Sequence, residues 1–571
     1  MSGMMTAWVL AAVLVPLGYP LLALVPGMSG LRRYTLALLP VPALLLALLS
    51  GHGWSLELPW LITGGLWQLD ELRRGFLLLT TLLWTTAGVY AAGYCSEQKL
   101  TRFGVFWGLT LAGNLGLILA ADIAGFYSFF ALMTFAGYGL VVHDGNPEAM
   151  RAGRVYLVMA VLGEMAMLAA LMLAGNEAGS LLLADLPAAI AASDRRDLMI
   201  GLVLAGFGVK AGLPLLHFWL PLAHPVAPVP ASAVLSGAMI KAGLLGWLLL
   251  LPLGEAALPG WGLLVMVAGA VAALGAAAVG VCQRKPKAVL AYSSISQMGL
   301  ITLMVGAALA EPARAPLLFA VITLYALHHG LAKGSLFLAA GLSLPRSPAG
   351  RALLWLGIAL PGLSLAGLPF TSGAVSKLAM KHGLAPETLT FTGAGYLAPL
   401  MTAGAVATLL LVLRTLWTLR ETMAVGRIPR AMLLGWLLAS LCSLVLFWFL
   451  PWGLPGAQQP SWLPSLYDAW ALVWPLLLAA ALALLVWRCG VGAPQIPAGD
   501  GLVLLEAMAR ALRRSVGSSG LWPFSRNRSC RLRGEALNRS LGRVLSQWES
   551  GYREQLAFLL LLLILTGGWL I

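Results

Sequence analysis

Apolar runs of roughly 17–25 residues recur about sixteen times in this chain, and that recurrence decides most of what it can fold into. In hydrocarbon such a run offers its backbone N–H and C=O groups no partner except each other, so each run is expected to be a helix. The runs lie near residues 6–25, 31–50, 75–94, 104–121, 123–142, 153–174, 198–220, 231–251, 261–282, 288–310, 317–342, 352–383, 394–418, 431–451, 467–487 and 555–571. Only 10% of the 571 residues are charged, against about 25% in an ordinary soluble protein. The expected fold class is an all-α polytopic membrane protein with about sixteen transmembrane helices.

A formal charge of +14 would suit a nucleic-acid binder, but the basic residues are sorted by side rather than gathered in a patch. With the N-terminus outside, twenty-five of the 36 lysines and arginines fall at cytoplasmic ends, eleven of them between Arg488 and Arg553. Six fall outside, and five (Lys210, Lys241, Lys333, Lys377 and Arg414) fall within spans. That bias is an orientation signal. No nucleic acid is expected as a partner, and both termini are expected on the outer side of a bacterial-type inner membrane. The N-terminus lacks the basic flank of a cleaved signal, so the first span is expected to stay attached.

The five cysteines are scattered without the paired spacing of a cluster or zinc site, and no phosphate loop or dinucleotide fingerprint is present. No cofactor or metal is therefore expected in this chain. Its organisation reads as spans one to three in 1–100, a core in 101–420 holding nearly all the polar intramembrane residues, and spans fourteen and fifteen in 421–488. A basic surface segment follows in 489–554, and a final span in 555–571. Within 489–554, "LVLLEAMARALRR" and "ALNRSLGRVLSQW" each place apolar residues on one helical face and arginines opposite. Such helices lie flat against lipid or a neighbouring subunit.

Two helices of the core are expected to break. One holds Gly212-Leu213-Pro214 just after Lys210, the other Gly367-Leu368-Pro369 just before Lys377. Proline removes an N–H and clashes with the preceding turn. In a bilayer that opening is tolerated only where protein or water meets the freed groups. The breaks are five spans apart and so run in opposite directions, the trace of an inverted repeat around an ion site.

An ionisable residue at the bilayer centre costs about 2.5–3.5 kcal/mol and is functional by default. The deep candidates are Glu164, Lys210, Lys241, His328, His329, Lys333 and Lys377. Lysine has a solution pKa of about 10.4, and buried examples fall to about 5–6. Crowded buried lysines therefore share fewer protons than sites, as a hopping line requires, and arginine cannot do this. His329 and Lys333, four apart, share a helical face and can exchange a proton. Lys333 has a second reading as a snorkelling side chain. His217, His224 and His328 are candidate proton inlets. For His217 and His224 the other reading is that they cap the unwound segment, and for His328 that it is a satisfied core histidine.

At these residues a pattern appears. "VKAGLPLLHFWLPLAHPVAPVPASAVLSGAMIKAGLLGWL", "QRKPKAVLAYSSISQMG" (283–299), "ALHHGLAKGSLFLAAG" (326–341) and "LAGLPFTSGAVSKLAMK" (365–381) stand in order. Over roughly residues 100–420 the chain resembles the antiporter-like subunits of respiratory complex I. The same family includes membrane-bound hydrogenases of the hydrogenase-4 or formate hydrogenlyase type and Mrp sodium–proton antiporters. The resemblance implies inverted five-helix repeats (spans 4–8 and 9–13) with broken helices 7 and 12. Carried over by position, Lys210 looks like the lysine of the first half-channel and Lys241 like the connecting lysine. His329 and Lys333 look like the relay, Lys377 like the terminal lysine, and Glu164 like the acidic residue of span six. The family's span-five glutamate is replaced here, where the pair reads Phe130-Ala131. Either Glu164 pairs with Lys210 instead, or coupling in this half differs.

The expected function is proton translocation by a subunit of a complex I-like or hydrogenase-like assembly. Other membrane subunits and a soluble arm would be its partners, with the redox chemistry lying outside this chain. An Mrp-type cation exchanger and a transport-inactive membrane anchor are the alternatives. Sodium wants oxygen ligands, and one deep carboxylate argues against the exchanger.

Overall fold

The computed structural model describes residues 3–23, 29–50, 53–59, 64–385, 389–390, 393–445, 466–489 and scattered positions from 494 to 502. Two compact units are distinguished, 1–58 with 65–498 and 59–64 with 499–571. The transmembrane helices and the buried polar groups of the core belong to the first. The amphipathic surface helices read within 489–554, the final span at 555–571 and the end of the run at 431–451 lie outside the described residues.

Among the described residues, thirteen helices are long and apolar enough to cross a membrane. The chain opens with α1 (Gly3–Ala23), α2 (Ser29–Leu38) and α3 (Val41–Leu49), the last two forming one span bent at Pro40. A hairpin of β1 (Trp54–Leu58) and β2 (Gly65–Leu69) follows, pairing Trp54 with Leu69 and Leu58 with Gly65. The chain is mostly helical, as expected, and this hairpin is a local addition that the apolar runs do not signal. Its strands are five residues each, too short to stand out beside runs of twenty. It is tied to the bundle by Asp122, whose carboxylate accepts from Leu66 N at 2.9 Å and Gly125 N at 2.7 Å.

Then come α4 (Glu71–Tyr94), α5 (Glu97–Leu119), α6 (Ile123–Val141), α7 (Pro147–Ala178) and the short α8 (Leu186–Ala192). The broken span is α9 (Arg196–Ala211) and α10 (Trp219–Val226). The next consists of α11 (Val229–Val234), a π-helical turn over Leu235–Met239, and α12 (Ile240–Leu250). The rest are α13 (Pro259–Val281), α14 (Pro286–Ala310), α15 (Ala315–Ala339), α16 (Pro348–Ala366), α17 (Ser372–Gly383), α18 (Leu397–Thr422), α19 (Arg430–Val445) and α20 (Leu466–Arg488).

Both expected breaks are present, and they share one local geometry. Gly212 and Gly367 end α9 and α16 in the left-handed region, at φ 81° and 98°. Gly212 N and Leu213 N both donate to Gly208 O, and Gly367 N and Leu368 N both donate to Leu363 O. Three residues past each glycine a bulky residue also has positive φ, Leu215 at 67° and Phe370 at 63°. Such a residue costs on the order of 1–3 kcal/mol unless its surroundings hold it. Its recurrence after the same Gly-Leu-Pro shows that this tripeptide sets the break.

Helices in lipid gain little from apolar burial and associate where small residues let backbones meet. The α13–α14 pair is built this way. A Cβ on Gly262 would come within 2.6 Å of Gly306 O, and one on Gly299 within 2.5 Å of Gly269 O. Gly299→Leu is therefore expected to wedge the pair apart and destabilise the fold by at least about 2 kcal/mol. Thermal unfolding of the detergent-extracted protein checks this, against Gly275→Leu, where a Cβ would meet nothing within 4 Å.

Candidate functional site

The deep lysines of the core, with the ionisable side chains near them, fall into three groups. In the first, Lys210 lies in the last turn of α9 and is 4% exposed. Its Nζ donates to Tyr156 Oη at 3.2 Å and stands 5.1–5.7 Å from the ring centres of Phe130, Tyr156 and Trp219. Tyr156, Ala160 and Glu164 follow one another at four-residue spacing on α7, which sets them on one face. All three line a cavity of about 10 Å³ shared with Lys210, room for about one water molecule. Glu164 is thus brought to Lys210, but no direct ion pair joins them among the described residues.

The second group joins two lysines without a carboxylate. Lys241 Nζ donates to Ser236 O at 3.0 Å, reaching back into the π-helical turn. Ser236 Oγ lies 2.6 Å from Ser294 Oγ, and Ser294 Oγ donates to Leu290 O at 3.0 Å. Lys333 Nζ donates to the same Leu290 O at 3.1 Å. His224 and His329 are completely buried beside this line, within electrostatic reach of both lysines. Neither ring nitrogen of either histidine has a hydrogen-bond partner among the described residues.

At the second break α16 stops and leaves its last carbonyls without N–H partners. One of them, Ala366 O, accepts from Lys377 Nζ at 2.9 Å. His328 Nδ1 lies 2.8 Å from Ser372 Oγ at the start of α17. Ser372 Oγ donates to Ser443 O at 2.6 Å, so its proton is committed and His328 is the donor through Nδ1–H. Adjacent helical residues point about 100° apart. His329 therefore faces the lysine pair while its neighbour His328 faces the break.

Of the three candidate inlets, His217 alone is partly exposed. Its ring lies 4.9 Å from that of Phe218 at a tilt of 51°, with Nδ1 3.3 Å from Leu213 O. His224 and His328 are interior groups, 0% and 5% exposed. Pro221, Leu222, Pro225 and Val226 of α10 help line a cavity of about 530 Å³, which His224 itself does not line. Glu148, Arg151, Arg284 and Lys285 stand at its rim. Reading the sequence missed Tyr156, Trp219, Ser236, Ser294 and Ser372. The nearest signal for the first was its placement two turns before Glu164.

Residues 120–402 match the family described as NADH:quinone oxidoreductase/Mrp antiporter, transmembrane. Hydrogenase-4 component B of Escherichia coli (strain K12) is 32% identical over 290 residues, covering 49% of this chain and 43% of that protein. The chain spans about half the length of several curated relatives it matches. NAD(P)H-quinone oxidoreductase chain 4 1 of Synechococcus sp. (strain JA-3-3Ab) is 30% identical over 414 residues, 68% of this chain and 75% of that protein. The fold matches a chain of the Mrp complex from Dietzia sp. DQ12-45-1b with a TM-score of 0.70 at 20% identity, over 99% of this chain and 62% of the other. With a relative covered to that extent at that identity, and the core segment matched, this chain belongs to the NADH:quinone oxidoreductase/Mrp antiporter transmembrane family.

Proposed function

We propose that this chain is a proton-translocating subunit of a larger energy-converting membrane assembly, complex I-like or hydrogenase-like. One observation carries the reading: Lys210, Lys241, Lys333 and Lys377 each donate to a neutral oxygen, and none of the four is ion-paired to a carboxylate among the described residues. A carbonyl or hydroxyl accepts from an ammonium and from a neutral amine alike, so a lysine seated on one releases its proton without losing its place. In the bridged pair, charge on one amine opposes charge on the other, because low dielectric strengthens the repulsion. A proton arriving at Lys241 or Lys333 thus favours departure of its neighbour's.

In this reading protons come from the basin outside α10 past His224 to the lysine pair, and leave by His329, His328 and Lys377. Glu164 and Lys210 load the line from the first break. The shared geometry of the two breaks supports inverted repeats over spans 4–8 and 9–13. Both termini stand on the outer side of a bacterial-type inner membrane holding about sixteen spans of this chain. Other membrane subunits, a soluble arm and lipid complete the surroundings. Cation exchange of the Mrp type is disfavoured because, among the described residues, Glu164 is the one carboxylate in the three groups.

Replacing Lys210 or Lys377 with Arg retains a cation but fixes its proton. Proton uptake into inverted vesicles is expected to fall at least about tenfold, a loss of about 1.4 kcal/mol or more in barrier terms, with assembly of the complex unchanged. Undiminished uptake in both variants contradicts the reading and favours a passive anchor. Ser294→Ala removes the hydroxyl joining the two lysine seats and is expected to lower uptake about two- to fivefold. Initial rates in the same vesicles check it.

A further inference from the structure

Three of the four lysine seats are main-chain carbonyls, and the fourth is built of rings. Lys210 Nζ stands 5.7 Å from the centre of Phe130, 5.1 Å from Tyr156 and 5.7 Å from Trp219. The Phe130 and Trp219 distances lie within the roughly 6 Å at which a ring face attracts a cation, whereas Tyr156 meets the amine through its hydroxyl at 3.2 Å. We propose that the Phe130 and Trp219 rings form a cation seat for Lys210, with the Tyr156 hydroxyl as the positioning group that holds the amine between them. The seat leaves Glu164 out of a direct ion pair and able to exchange a proton.

The rings come from α6, α7 and α10, and each is held from behind. Trp219 Nε1 donates to Val209 O at 2.7 Å, and the indole meets the Tyr156 ring at 5.1 Å and 75°. Phe130 packs edge-on against Phe207 at 5.7 Å and 84°. Tyr156 Oη donates its single proton to Thr134 O at 2.9 Å, which leaves its lone pairs for Lys210 Nζ. The hydroxyl is thereby a fixed acceptor, so Tyr156 positions the amine and does not relay a proton. Ring faces act strongly here because water, which would screen them, is nearly excluded. Glu164 is 5% exposed and lines the same small cavity, and its Oε1 has no hydrogen-bond partner among the described residues. It can thus reach Lys210 through a single water.

The competing explanation is that the rings only pack the lysine stem. The two differ in how they respond to ring electronics. Fluorine drains the negative face of a ring while barely changing its size. Mono-, di- and trifluorophenylalanine placed at residue 130 of the full chain should lower the thermal unfolding midpoint step by step. In a Lys210→Met background the same series should be flat. Equal slopes in the two backgrounds, or no slope in either, overturn the proposal.

This experiment reads the seat without requiring transport, although the role given to Glu164 rests on the proton-translocation reading above. A sloped native series with no proton uptake by the unsubstituted protein would sustain the seat and defeat the transport reading. Where uptake is measurable, Tyr156→Phe removes the hydroxyl that positions the amine and is expected to lower it about two- to fivefold. Undiminished uptake in Tyr156→Phe would mean that the hydroxyl does not position the amine, and that role fails.

Discussion

A buried amine must donate to something, and the choice of acceptor governs the rest of this molecule. Here the acceptors are Tyr156 Oη, Ser236 O, Leu290 O and Ala366 O. Two of the carbonyls exist as acceptors because a helix departs from regularity nearby. Ser236 lies in a π-helical turn, where the bonding register is longer by one residue. Ala366 is the last residue of α16, whose carbonyl has no helical donor beyond the break. The irregularities and the lysines therefore explain each other. Without its amine the Ala366 carbonyl would be costly in hydrocarbon, and without the break Lys377 would lack that neutral partner.

The fold holds these irregularities in place by close backbone packing elsewhere. Gly206 of α9 meets α7 so tightly that a Cβ would stand 2.7 Å from Met167 N. The same contact sets α7, with Tyr156 and Glu164, against the helix that carries Lys210. A Cβ on Gly237, inside the π-helical turn, would stand 2.8 Å from Gly330 O of α15, the helix that carries His329 and Lys333. Small residues therefore bring polar side chains of neighbouring helices within hydrogen-bond reach.

Much of this was readable in the chain. Long apolar runs mark the helices, and Gly-Leu-Pro beside Lys210 and Lys377 marks both breaks. What escaped has physical reasons. Tyr156 in "RVYLVMAVLGEM" looks like one more apolar residue, because nothing local says that its hydroxyl meets an amine 54 residues away. The serines of "YSSISQ" were in plain view, but a hydroxyl gains meaning only from the helix opposite. A π-helical turn carries no composition of its own, so the bond from Lys241 back to Ser236 could not be foreseen. His328 and His329 are neighbours in sequence and serve different groups because one residue of helix turns them apart. The hairpin at 54–69 is short and tied by Asp122, a partner more than fifty residues away.

In the function proposed above, protons pass between the two ends of the line through the bridged pair. The most direct test is to cut that passage by replacing Lys241 and Lys333 together with Leu, leaving Lys210 and Lys377 intact, in the assembled complex. Passive proton conductance of the reconstituted complex, driven by an imposed potential, should then fall to that of protein-free liposomes. Conductance equal to that of the unsubstituted complex would contradict the account, because protons would be crossing without the amines on which it is built.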